Sequence, residues 1–109
     1  MADLDPEDAK IITLARSTRA RTGAAEGAAV RDTDGRTYTA GTVALSSLKL
    51  TALQAAVAAA VSSGAQGIEA AAVVSSSTVD ADSLAAVREL ASSAPVFVAD
   101  ASGEVRDTL

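Results

Sequence analysis

The chain contains no cysteine and no histidine among its 109 residues, and these two absences exclude more chemistry than any motif adds. Without cysteine there is no disulfide, no thiolate nucleophile and no zinc site built on sulfur. Without histidine the one side chain with an unperturbed pKa near neutrality is gone, so a Ser-His-Asp relay cannot form within one chain. Any general base must be a carboxylate, Lys10, Lys49 or Tyr38. Aromatics are nearly absent too, since Phe97 and Tyr38 are the only two. Hydrophobic residues still make up 49% of the chain, which predicts one domain over 1–109 with a light core of Ala, Val and Leu.

Long hydrophobic runs are missing as well. The most apolar stretch, "SLKLTALQAAVAAAVSSG" (47–64), is broadly apolar only from about Leu50 to Val61 and is interrupted by Lys49 and Gln54. A bilayer span needs ~20 such residues. The acidic start, "MADLDPEDAK", is unlike the basic opening of a secretory signal. A soluble cytoplasmic protein with no membrane association is expected. Positive charge is also scarce, and the net charge of −5 repels a phosphate backbone, so no nucleic-acid partner is expected. Lys10, Arg16, Arg19 and Arg21 hold four of the nine basic residues. They read as a solvated helix face with cations at the negative end, rather than as an anion-binding patch.

What is present orders the elements. Asp5 can cap a first helix, Pro6 suits its first position, and Glu7 and Asp8 favour its positive end. Ile11, Ile12, Leu14 and Ala15 give it an apolar stripe, and it should end near Thr22-Gly23. "EGAAVRD" and "RTYTAGTVAL" flank an Asp34-Gly35 turn and predict a hairpin. The Ala-rich helix follows, with Ser46 or Ser47 as its expected cap and Gly64 as its stop, buried as a central layer element. "IEAAAVVSSS" predicts a strand buried on both faces. "DADSLAAVRELASS" predicts a helix capped by Asp80 or Asp82, with Leu84, Val87, Leu90 and Ala91 on one face. "PVFVAD" and "EVRDTL" give a short apolar strand and a final edge strand. The order α-β-β-α-β-α-β-β implies an α/β fold: a three-layer αβα sandwich with a mixed sheet of about five strands. Right-handed crossovers and parallel neighbours are expected in its second half.

The local motifs carry little chemistry. "SSLK" (Ser46 to Lys49) fits the S-x-x-K pattern of serine acyl enzymes, but their other motifs are absent. A capping serine and a snorkelling lysine explain it. The carboxylate pairs Asp32/Asp34 and Asp80/Asp82 do not continue into a calcium loop and read as turn and cap residues. "TGAAEGAA" lacks the Lys-Ser/Thr of a phosphate-binding loop.

Three strings together resemble the small cytidine deaminases. "GAAVRDTDGRTYTAGTV" is similar to that family's V-G-A-A-L, D-G turn and Y-T-G-C-N-V-E. "TALQAAVAAAVSSGAQGIEAAAVVSSS" resembles its C-A-E-R helix and following strand, and "APVFVADASGEVRDTL" its P-V-Y strand and G-E-V-R-E-x-T-L close. The resemblance covers roughly residues 8 to 109. It implies an αβα deaminase fold, assembly as a homodimer or homotetramer, and deamination of cytidine by a zinc-bound water. In the family one Cys or His and two cysteines of P-C-x-x-C hold the zinc, and a Glu shuttles protons. Here the first ligand position holds Thr51 and the Glu position Leu53, while the two cysteine positions hold Asp80 and Ser83. The ribose-contacting Asn and Glu correspond to Thr42 and Ala44, and a Phe near the base to Ala24. These seven residues mark a vestigial pocket.

No catalytic residue, metal ligand or cofactor is therefore expected. The leading expectation is a structural or regulatory homo-oligomeric module with the deaminase scaffold. The alternative is a nucleoside- or nucleotide-binding module without turnover. An enzyme of another class, using carboxylates or Ser46 and Lys49, comes last.

Overall fold

Asp5 opens the fold by accepting the Glu7 N–H at 2.8 Å in the computed structural model, which describes residues 4–109. Pro6 takes the first helical turn, and helix α1 (Pro6–Thr22) runs until Gly23, whose φ of 67° turns the chain out. Ile11, Ile12 and Ala15 are buried along it. Strands β1 (Gly27–Asp32) and β2 (Thr37–Gly41) then pair antiparallel.

Asp32 organises the turn between them. One carboxylate oxygen accepts the N–H groups of Asp34 and Arg36, each at 2.9 Å, and the other accepts the Tyr38 hydroxyl at 2.9 Å. Gly35, at φ 85°, supplies the left-handed residue of the turn. Burial pushes the Asp32 carboxyl up, but the Arg36 N–H, the Tyr38 hydroxyl and the Asp34 N–H outweigh it and hold it below its ordinary value. The same bond to Asp32, aided by burial, raises the Tyr38 phenol above its ordinary value. The signs at the two ends of the pH scale are opposite. The carboxylate's contribution is complete above the unfolded value of 3.8 and lost as pH falls through the lower folded one. The phenol's is complete below 10.0 and lost as pH rises through the higher folded one. Urea midpoints of the wild type and Tyr38→Phe should therefore differ by a constant amount between about pH 5 and 9 and draw closer beyond both ends. A gap that did not narrow at all from about pH 7 into strong acid would contradict a bond to the ionised Asp32 carboxylate.

After β2 the chain makes a second hairpin, β3 (Val43–Ala44) with β4 (Lys49–Leu50). This corrects the expected start of the Ala-rich helix. Ser46 and Ser47 lie in the exposed turn of that hairpin, closed by mutual backbone bonds between Leu45 and Leu48. Helix α2 (Ala52–Ser62) starts instead from Thr51. The reason is reciprocity: Gln54 N–H donates to Thr51 Oγ1 at 3.1 Å, and Thr51 N–H to Gln54 Oε1 at 3.0 Å. Ser46 and Ser47 have Lys49 and Leu50 three residues on, and neither can return that bond.

Strand β5 (Ile68–Val74), helix α3 (Ala81–Leu90) and strands β6 (Val96–Ala99) and β7 (Val105–Thr108) complete the chain. The five-stranded sheet has the order β2-β1-β5-β6-β7. Only β5 and β6 are parallel neighbours. The expectation of parallel neighbours on both sides of α2 is corrected, because β1 inserts between β2 and β5 and pairs antiparallel with each.

The helices split between the two faces. Ile11, Ile12 and Ala15 of α1 pack on Ala29, Ala70 and Phe97. Leu53, Ala56 and Val57 of α2, with Val87 of α3, pack on Val30, Ala71 and Val96 of the other face. The αβα layering thus holds, but α2 is an outer layer and not a central one. Its Ala52, Leu53, Ala56, Val57 and Ala60 are buried while Ala58 and Val61 are exposed. Among the described residues no helix is long and apolar enough to cross a membrane.

Candidate functional site

The N-termini of α2 and α3 converge on one another. Thr51 caps α2, as described, and Asp80 caps α3 by accepting the Ser83 N–H at 2.7 Å. A further bond joins the two helix starts, since Thr51 Oγ1 and Ser83 Oγ share a hydrogen bond at 2.7 Å across 32 residues of sequence. Ser83 is 2% exposed. Asp80 is exposed, and the Ser83 hydroxyl and N–H hold its carboxyl below its ordinary range. Three of the residues singled out from the sequence, Thr51, Asp80 and Ser83, therefore form one cluster.

The other four divide. Leu53 is 1% exposed and belongs to the core between α2 and the sheet. Thr42 and Ala44 line a shallow cavity of about 290 Å³ together with Thr51, Lys49, Leu50 and Gln54. Of its polar groups, Thr42 Oγ1 accepts the Glu26 N–H at 3.0 Å and Gln54 Oε1 accepts the Thr51 N–H at 3.0 Å. Ala24 does not join them. It lines a separate cavity beside Arg16 and Arg19, at the end of α1.

The cluster offers one carboxylate and two hydroxyls: Asp80 Oδ1 caps α3, Thr51 Oγ1 caps α2, and the two hydroxyls bond one another. The serine–lysine idea fares no better: Ser46 and Lys49 are both exposed, whereas a serine–lysine nucleophile needs the amine desolvated beside the hydroxyl. A larger cavity of about 500 Å³, lined by Thr33, Gly67, Glu69 and Pro95 among others, lies at the opposite end of β5 and contains none of the seven residues. The sequence reading missed Gln54 as the partner of Thr51, although T-x-x-Q before an apolar run is a legible capping signal.

A model of the cytidine deaminase-like family matches residues 4–103. A cytidine deaminase from Burkholderia pseudomallei superposes with a TM-score of 0.80 at 21% identity, covering 92% of this chain and 89% of that one. One from Mycobacterium leprae gives a TM-score of 0.71 at 18% identity, over 88% and 89% of the two chains. A mutant cytidine deaminase from Mycobacterium tuberculosis gives 0.69 at 27% identity, over 88% and 85%. No curated protein matches the sequence.

Proposed function

We propose that this chain, which belongs to the cytidine deaminase-like family, keeps the family's scaffold without zinc or deaminase activity and serves as a structural or regulatory oligomeric module. The observation that carries this reading is the direct Thr51–Ser83 bond at 2.7 Å. The resemblance implies a zinc between the positions of Thr51, Asp80 and Ser83. Oxygens bound tetrahedrally at ~2.0 Å from zinc lie roughly 3.3 Å apart, and sulfurs at ~2.3 Å lie roughly 3.7 Å apart. Two hydroxyls in mutual hydrogen-bond contact leave no place for the ion between them. Neutral hydroxyls are also poor zinc donors, and the single carboxylate is used as a helix cap. These residues do not fit the metal. Among the described residues, no group of three or more carboxylates converges elsewhere to hold one.

Proton transfer is removed independently. Leu53 stands where the resemblance places the glutamate, and its position is closed into the core. A positioned acid–base group contributes typically ~10²–10⁴ in rate. What the cluster does instead is mechanical: hydrogen bonds join the starts of α2 and α3 at the place where the resemblance puts a metal.

Oligomerisation is supported by the surface. Leu45 and Leu48, at the tip of the β3–β4 hairpin, are 58% and 48% exposed, and the charge-free helix α2 exposes Val61 at 50%. Such apolar surface on an otherwise charged protein fits contact with a further copy. A nucleoside-binding role without turnover has the shallow cavity beside Thr51 in its favour, although Ala44, Leu50 and Val43 make much of its wall apolar.

Zinc content and cytidine turnover of the purified chain test the proposal, with neither expected. On the same sample, light scattering should give a mass above one chain, and millimolar cytidine should leave the melting temperature unmoved. A monomer would remove the oligomeric part, and a cytidine-dependent rise would favour the binding module instead.

A further inference from the structure

The cations of α1 do not all serve the helix end. Arg19 and Arg21 lie in its last turn, where they complement the dipole, but Arg16 sits before that turn and reaches the loop between β6 and β7. Arg16 and Arg19 together wall a cavity of about 360 Å³, which Val74, Ala24 and Ala101 also line. Each guanidinium is pinned by its Nε–H: Arg16 donates to the Ala101 carbonyl at 3.0 Å and Arg19 to the Ala25 carbonyl at 3.0 Å. Anchoring through Nε fixes the plane of each group and leaves its terminal nitrogens available. Among the described residues neither arginine makes an ion pair, and no carboxylate lines the cavity.

In a chain of net charge −5, an acid-free cavity between two oriented guanidinium groups selects for an anion. The nearby helix end opposes this only weakly. Its dipole amounts to about half a negative charge, against two full positive ones. The Gly23 N–H and Thr22 hydroxyl already satisfy the carbonyls of Arg19 and Thr18. Planar guanidinium forks match phosphate oxygens better than they match a spherical anion. The volume sits at the small end of ligand pockets, roughly 300–1,000 Å³. Ala24 stands where the resemblance implies a phenylalanine, and it gives this wall only a methyl group.

We propose that the cavity between the end of α1 and the β6–β7 loop binds a phosphate dianion, free or as a small phosphomonoester, between Arg16 and Arg19. The site lies on the α1 face of the sheet. It requires neither zinc nor the Thr51–Ser83 cluster, so it stands or falls separately from the function proposed above.

The test uses the full chain with inorganic phosphate, glucose 6-phosphate, glucose, and sodium chloride at matched ionic strength. Either phosphate should raise the melting temperature and shift the Arg16 and Arg19 Nε–H resonances, while glucose and chloride do neither. The stronger of the two phosphates identifies the source. The Arg16→Gln and Arg19→Gln variants should each weaken binding about tenfold. If a variant fails to fold, the arginine resonances of the wild type still decide the question. Phosphate effects no larger than those of matched chloride, or resonances elsewhere moving while these two stay fixed, would overturn the proposal.

Discussion

Thr51→Cys, Asp80→Cys and Ser83→Cys, introduced together, are expected to turn this chain into a zinc protein that takes up one zinc with an apparent Kd of about 1 nM or tighter. The scaffold already does the costly part. Thr51 and Ser83 touch through their side chains at 2.7 Å, so two of the thiolates would start within roughly 1 Å of the sulfur spacing zinc requires, and Asp80, bonded to the Ser83 backbone, brings the third position to the same helix start. Both helix N-termini point their positive ends at this spot, which favours thiolate over thiol. The apo variant should be less stable than the wild type, because each lost cap costs about 1 kcal/mol. Zinc should restore that stability and more. Competition against a chromophoric chelator under reducing conditions, with circular dichroism to verify the fold, gives the answer. A folded variant that took up no zinc would show that these positions do not share the geometry assigned to them.

Gly27→Ala is expected to destabilise the fold by about 3 kcal/mol or more, at or beyond the upper end of ordinary overpacking costs. A Cβ at Gly27 would collide with the Ala15 carbonyl oxygen and come within 2.8 Å of Arg19 N and Cβ. These are mostly backbone atoms of α1, so no side chain can rotate aside. The helix must lift from β1, and the layer formed by Ile11, Ile12 and Ala15 loosens with it. Against a typical total stability of roughly 5–15 kcal/mol, that loss leaves a marginal protein. Gly41→Ala provides the comparison, since its nearest neighbours are the side-chain atoms Thr22 Oγ1 at 3.0 Å and Ala24 Cβ at 3.2 Å. Urea midpoints should rank wild type, then Gly41→Ala, then Gly27→Ala. A Gly27→Ala midpoint equal to the wild type would mean that α1 does not sit this close to the sheet.

The close approach of α1 to the sheet reflects the scarcity of bulky residues that the composition announces. Ala15, Ala29, Ala70 and Ala72 fill that layer where other proteins use larger side chains. Elements with strong local chemistry were legible: the Asp5-Pro6 start of α1, the Asp34-Gly35 hairpin, and the Asp80 cap of α3. The start of α2 was not, because Ser46 and Ser47 are good caps by type. Only the β3–β4 pairing and the Gln54 return bond displace the start to Thr51. The insertion of β1 between β2 and β5 was equally hidden, being a matter of long-range pairing that no local pattern encodes.

The candidate site was legible as positions but not as contacts. The resemblance picked out Thr51, Asp80 and Ser83, yet the bond between Thr51 and Ser83 exists only once two helices meet. Ala24 shows the converse, as it faces a different cavity from Thr42 and Ala44. Arg16 is the exposed cation that the sequence suggests, but its bond to the Ala101 carbonyl, 85 residues away, has no local signal.

The most direct measurement is elemental analysis of the wild-type chain, purified from zinc-supplemented cells without chelator, with cytidine turnover assayed on the same sample. The account predicts zinc far below one ion per chain and no uridine above the buffer background. Stoichiometric zinc accompanied by uridine formation would contradict it.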